Sequence, residues 1–270
     1  MRTVSMRRCV SILATAGTAA ALALFGSGAA QAAGFNYVAL GDSYSSGVGA
    51  GSYTSASGSC DISTNAYPYL YDGTGNVSSF TDVACSGAKT TDVISSQLSA
   101  LSSSTTLVSM TIGGNDAGFS TVMEDCVLDS DSGCQSAVNS AESYAKNTLP
   151  GLLDTVYSDI RADAPNAHVV IIGYPEFYDL SQSGGCIGLS TNKRTYIDGG
   201  ADVIDSVIAA QVAKYSNFTY EDVRSRFSGH EICDSNSWLH SLNWLDITES
   251  YHPTAAGQSG AYFPAFEAGA

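Results

Sequence analysis

The stretch YVALGDSYSSGVG, residues 37–49, runs an apolar segment into glycine, aspartate and three serines. A strand that stops at Gly41-Asp42-Ser43 leaves a hydroxyl at its carboxyl end, the rim where open α/β sheets present ligand and catalytic groups. Aspartate and serine are also common turn formers, so the tripeptide alone is compatible with a nucleophile or with a turn serine. Three further segments belong beside it: ACSGA (84–88), IGGNDAGF (112–119) and YHPTAAG (251–257). The first two follow strand-like runs and the third lies near the C-terminus, so all can reach one rim of one sheet. Asn115 and Asp116 could equally cap a following helix. Of the four histidines, His168 starts a strand-like run, and His230 and His240 sit in a loop region, where structural or surface roles are expected. Only His252 is followed by a Pro-Thr helix start. Asp42 is expected to order its turn rather than to move a proton.

These segments require a sheet to hold them. Apolar runs of strand length occur at 35–40, 107–113 and 168–175, and more weakly at 80–85 and 218–223. Their near-continuous hydrophobicity points to strands buried on both faces, hence a mostly parallel sheet. Helix-like segments lie between them at 90–103, 134–165 with a bend near Pro150, and 191–215. The alternation predicts a three-layer α/β/α sandwich around a sheet of about five strands.

The first residues stand apart. MRTVSMRR, an apolar run and the small-residue end AQA read as a secretory signal peptide, with cleavage expected between Ala32 and Ala33. Residues 33–270 then form the folded domain and carry eight basic against twenty-six acidic residues, a formal charge of −18. A nucleic-acid footprint is absent. Such acidity also disfavours anionic membranes. Six cysteines remain in this part: Cys60, Cys85, Cys126, Cys134, Cys186 and Cys233. An even count in an exported chain implies disulfides. Sequential pairing is favoured, because Cys126 and Cys134 bracket a short polar loop and the others then close Cys60–Cys85 and Cys186–Cys233. No CxxC pair, histidine cluster or HExxH motif calls for a metal.

In this order and context the four segments resemble the blocks of the SGNH hydrolases, also called GDSL esterases and lipases, and are most similar to those of small secreted actinobacterial lipases and phospholipases. The resemblance covers all of residues 33–270 and maps the defining residues to Ser43, Gly87, Asn115 and His252. It implies the SGNH hydrolase fold and a secreted, cofactor-free hydrolase of carboxylic esters of lipids, phospholipase A activity included. It further implies catalytic roles for Ser43 and His252, and an oxyanion hole of the Ser43 and Gly87 backbone N–H groups and the Asn115 amide. A serine hydroxyl is a poor nucleophile at neutral pH and needs such a base, while the tetrahedral intermediate needs preorganised donors. An ordinary histidine titrates at about 6.5, so activity is expected to rise from mildly acidic to alkaline pH.

One position departs from the family pattern. The aspartate usually three residues before the histidine is replaced by Glu249, followed by Ser250. A backbone carbonyl of Ser250 or Glu249 is the expected orienting group, with Asp246 a more remote candidate. Expected partners are an ester substrate and, transiently, lipid interfaces, with the chain a monomer. A carbohydrate acetyl-esterase would share every one of these residues, and a secreted binding module would be expected to have lost one block.

Overall fold

In a computed structural model that describes Met1, Thr3 and residues 34–182 and 188–270, five strands build one sheet. They are β1 (Phe35–Gly41), β2 (Val77–Asp82), β3 (Leu107–Thr111), β4 (His168–Ile172) and β5 (Phe218–Glu221). All neighbouring pairs are parallel and the order is β2-β1-β3-β4-β5. The chain leaves β1 toward one edge and returns to β3 on the other side, so a crevice opens at the carboxyl ends of β1 and β3, where doubly wound sheets hold their ligands. Every residue of β3 is buried, as its unbroken LVSMT requires.

Helices cover both faces of the sheet. Phe218 of β5 packs on Tyr157 of helix Leu149–Asp163, with ring centres 5.4 Å apart. On the opposite face Tyr37 of β1 stacks at 5.2 Å on Phe266 of helix Phe263–Gly269. This is the three-layer sandwich expected from the alternation of elements. No described helix is long and apolar enough to cross a membrane.

Several boundaries differ from the sequence reading. The second strand spans 77–82 rather than 80–85. It is an edge strand paired only with β1; the Val83 and Cys85 N–H groups still bond the Ala39 and Gly41 carbonyls of β1 at 3.0 Å, and the chain turns away at Cys85, which is bonded to Cys60. The helix expected at 90–103 is a broken series of turns, Thr90–Asp92, Val93–Gln97 and Leu98–Ala100. The break has a cause in Gln97, whose buried amide is committed to both backbone groups of Gly41, at 2.7 and 2.9 Å. The long segment at 134–165 is two helices, Asp131–Asn147 and Leu149–Asp163, parted at Thr148. Pro150 has no N–H to give and is tolerated only in a first helical turn. The helix anticipated at NDAGF begins at Phe119 and runs to Leu128.

Cys60–Cys85 and Cys126–Cys134 are bonded as sequential pairing predicts. Cys233 is also disulfide-bonded. Its expected partner Cys186 lies outside the described residues, as does almost all of the expected signal segment.

Candidate active site

The turn that carries Ser43 is held from below. Gly41 ends β1 at φ +123°, and a Cβ there would lie 2.5 Å from the Thr111 carbonyl, so no other residue fits. Asp42 caps the short helix Ser43–Ser46, its Oδ1 accepting from the Tyr44 N–H at 3.0 Å. The same carboxylate accepts from Thr111 Oγ1 at 2.6 Å and from the Tyr174 hydroxyl at 2.5 Å. Burial pushes its pKa up to about 6, against the pull of these hydrogen bonds. Asp42 therefore orders the turn, as expected. Ser45 adds a second clamp, accepting from the Thr111 N–H at 2.9 Å. Ser43 is thereby fixed at the β1/β3 crevice.

His252 reaches Ser43 from the C-terminal segment, with Nε2 2.7 Å from Oγ. Its Nδ1 lies 3.0 Å from the Ser250 carbonyl. A carbonyl only accepts, so Nδ1 carries the proton and Nε2 is left as the acceptor for the serine hydroxyl. Tyr251 between them takes φ +66°, an uncommon conformation for a side chain of its size. It is secured on both sides: the Tyr44 hydroxyl donates to its carbonyl at 2.7 Å, and its own N–H donates to the His240 carbonyl at 2.9 Å.

The Glu249 carboxylate points elsewhere and accepts from the Tyr53 hydroxyl at 2.8 Å, while that hydroxyl accepts from the Gly49 N–H. Asp246 is exposed on the loop and makes no hydrogen bond to His252. Glu249→Ala is accordingly expected to keep turnover of a soluble ester within about tenfold, against the ~10⁴ loss that follows when an essential triad carboxylate is disabled. A thousandfold fall would assign the orienting role to the side chain.

Burial lowers the His252 pKa to about 4, only partly offset by the Ser250 carbonyl, which favours the charged ring. This displaces the expectation drawn from an ordinary histidine. The neutral ring persists to lower pH, so the acid limb of kcat/KM should have its midpoint well below the ordinary value of about 6.5. A pH profile with a midpoint at or above that value would mean that a carboxylate pairs with the ring. The other histidines have structural partners: His168 binds the Gly269 carbonyl at 2.6 Å, His240 binds the Gly49 carbonyl at 2.7 Å, and His230 stacks on Trp238 at 3.7 Å.

Gly87 and Asn115 complete the ring around Ser43. Gly87 sits at φ +76° with open space where a Cβ would project. Asn115 stands after β3 and anchors one amide N–H on the Ala88 carbonyl at 3.0 Å, which leaves the second N–H of that amide to the cleft. Asp116 ties the same two loops through Thr90, whose hydroxyl donates at 2.6 Å. Neither residue caps helix Phe119–Leu128, which starts at Gly118 with no side-chain cap. The backbone N–H groups of Ser43 and Gly87 have no acceptor among the described residues.

Comparison with known proteins is decisive here, because the GDSL-like lipase/acylhydrolase family pattern matches residues 39–259, from β1 past His252. The chain belongs to this family. It is 56% identical to Lipase 1 of Streptomyces coelicolor over 95% of this chain and 96% of that one. It is similar to the crystal structure of phospholipase A1 from Streptomyces albidoflavus, with TM-score 0.85 and 54% identity over 88% of this chain and all of that one. The extracellular lipase of Streptomyces rimosus gives TM-score 0.83 and 48% identity over 87% and 99%. The protein is a carboxylic ester hydrolase of the GDSL type.

Two spaces meet at Ser43 in this acylhydrolase. One is a narrow, almost wholly apolar pocket of about 50 Å³ that runs inward past Phe119 and Met123 to Val138, Ile197 and Ala201. The other is an open cleft of about 480 Å³ that includes Gly87, His252, Leu242 and Trp244. The first suits an acyl chain and the second a leaving alcohol of some size. Both walls use helix Phe119–Leu128, whose extent no motif in the sequence marks. The usable signal was the spacing Ile197, Gly200, Ala201, Ile204, one face of helix Thr191–Val212 kept small in the middle.

Proposed function

We propose that residues 1–32 are an export signal and that residues 33–270 form a secreted lipid-ester hydrolase working through an acyl-serine intermediate. Ser43 Oγ attacks the ester carbonyl carbon as His252 Nε2 takes its proton. The carbonyl oxygen, now an oxyanion, accepts from the Ser43 and Gly87 N–H groups and the Asn115 amide. Collapse of this intermediate expels the alcohol, which receives the proton from the imidazolium and leaves Ser43 acylated. Water then repeats the sequence and releases the acid. The Ser250 carbonyl holds the ring's tautomer and stabilises the positive charge that forms on it.

The observation that carries this reading is the 2.7 Å contact between Ser43 Oγ and His252 Nε2, made beside unpaired N–H donors and at the mouth of an apolar pocket. Lipid substrates are supported by that pocket and by the relatives, which are lipases and a phospholipase A1. The test is a panel of p-nitrophenyl esters from acetate to long chains, triacylglycerol, phosphatidylcholine and acetylated xylan. Preference for medium or long acyl chains and release of fatty acid from the lipids is the expected result. Preference for acetylated xylan would make the protein a carbohydrate acetyl-esterase instead.

A further inference from the structure

The lip of the open cleft is apolar and turned to water. Trp244, Leu245 and Ile247 are 70%, 98% and 58% exposed on one loop, and Leu128, at the end of helix Phe119–Leu128, is 64% exposed. Trp244, Ile247 and Leu128 also line the cleft that opens on Ser43 and His252. Single exposed apolar side chains need no explanation, but a contiguous patch around a site marks an interaction surface. Here the patch continues the mouth of the ester site.

Charge selects the partner. The segments that carry this lip hold five carboxylates in 116–133 and two in 241–250, with no lysine or arginine in either. Anionic membranes attract basic segments and repel a rim of this kind, whereas apolar side chains insert at an uncharged lipid boundary regardless of sign. Tryptophan favours that boundary because its ring is apolar and its N–H polar. We propose that the Trp244–Ile247 loop and Leu128 dock the protein on a lipid surface without net charge, placing Ser43 where an ester emerges from the lipid. The proposal rests on the lipid-ester reading above.

Binding is measured on the Ser43→Ala variant, so that lipid is not consumed, with vesicles of phosphatidylcholine or of phosphatidylglycerol. Trp238 is stacked on His230 and Trp244 is the other tryptophan of the chain, so a blue shift of emission reports Trp244. The shift is expected with phosphatidylcholine and not with phosphatidylglycerol. Adding Leu245→Asp should weaken partitioning by about tenfold or more, the scale of one buried leucine. In the active enzyme the same substitution should leave kcat/KM for a short soluble ester within roughly twofold, as for other exposed sites, while hydrolysis of phosphatidylcholine vesicles falls with partitioning. Unchanged partitioning in Leu245→Asp overturns the proposal, as does equal binding to both vesicles. A blue shift that grows with protein concentration in the absence of lipid would assign the patch to a second copy of the chain. Failure of the parent enzyme on every ester would instead overturn the lipid-ester reading, and vesicle binding would still be measurable.

Discussion

Ser43→Ala is expected to lower ester turnover by on the order of 10⁴ or more, to near background, with the fold intact. The substitution removes the atom that forms the acyl bond in the proposed mechanism. It leaves the backbone N–H of residue 43 where it is, so the oxyanion donors survive and substrate binding should change little. The structural cost is small because Oγ has one side-chain partner, His252, and because Asp42, Thr111 and Ser45 hold the turn without it. The measurement pairs kcat on a soluble ester with the melting temperature. A variant that melts like the parent yet keeps a tenth of its turnover would remove Ser43 from the chemistry. Loss of activity together with loss of fold would give Ser43 a structural part that its contacts do not support, and Ser43→Cys, which keeps a nucleophile of similar size, would then separate the two by whether turnover returns.

The residues around Ser43 that could be read in the sequence share one property. Each sits in a short contiguous block, and those of Ser43 and Asn115 stand at the ends of β1 and β3, so local order predicts the rim these two occupy, while His252 is marked by its block near the C-terminus. What supports them was hidden because it joins distant parts of the chain. Tyr53 meets Glu249, Tyr44 meets Tyr251 and Tyr174 meets Asp42 through single hydroxyls, and no periodicity marks a tyrosine for such a contact. Glu249 shows both sides. The glutamate in place of aspartate pointed to a backbone carbonyl at the histidine, and the Ser250 carbonyl stands at Nδ1, but nothing in the sequence pointed to Tyr53 as the partner of the Glu249 side chain. The sheet was legible because β1, β3 and β4 are largely buried on both faces and are apolar over most of their length. Its edge was less so, since no residue of β2 is fully buried and only Val77 and Phe80 in it are apolar. The apolar pocket escaped for a related reason: it is shared among three helices, one of them ten residues long behind a run of glycines.

Asn115→Ala should cost less than loss of the nucleophile, roughly 10²–10³ in kcat, the usual effect of removing one oxyanion donor. Its amide is divided between two tasks. One N–H is spent on the Ala88 carbonyl and positions the side chain, while in the proposed mechanism the other meets charge that exists only in the tetrahedral intermediate. Loss of a donor used only then lowers kcat and leaves KM nearly unchanged. The tether to Ala88 makes a competing account possible, in which the amide merely joins the loop of Gly87 to the end of β3. That joint is duplicated by Asp116, which binds both the N–H and the hydroxyl of Thr90, so its loss at Asn115 should shift the melting temperature little. Thr90→Val supplies the control, because it removes the hydroxyl from the Asp116 contact without touching an oxyanion donor. If Asn115→Ala lowers kcat a hundredfold or more and Thr90→Val does not, the amide acts on the intermediate. If both variants lose stability and raise KM to the same degree, Asn115 only holds the loops together, and the oxyanion hole is reduced to the two backbone N–H groups.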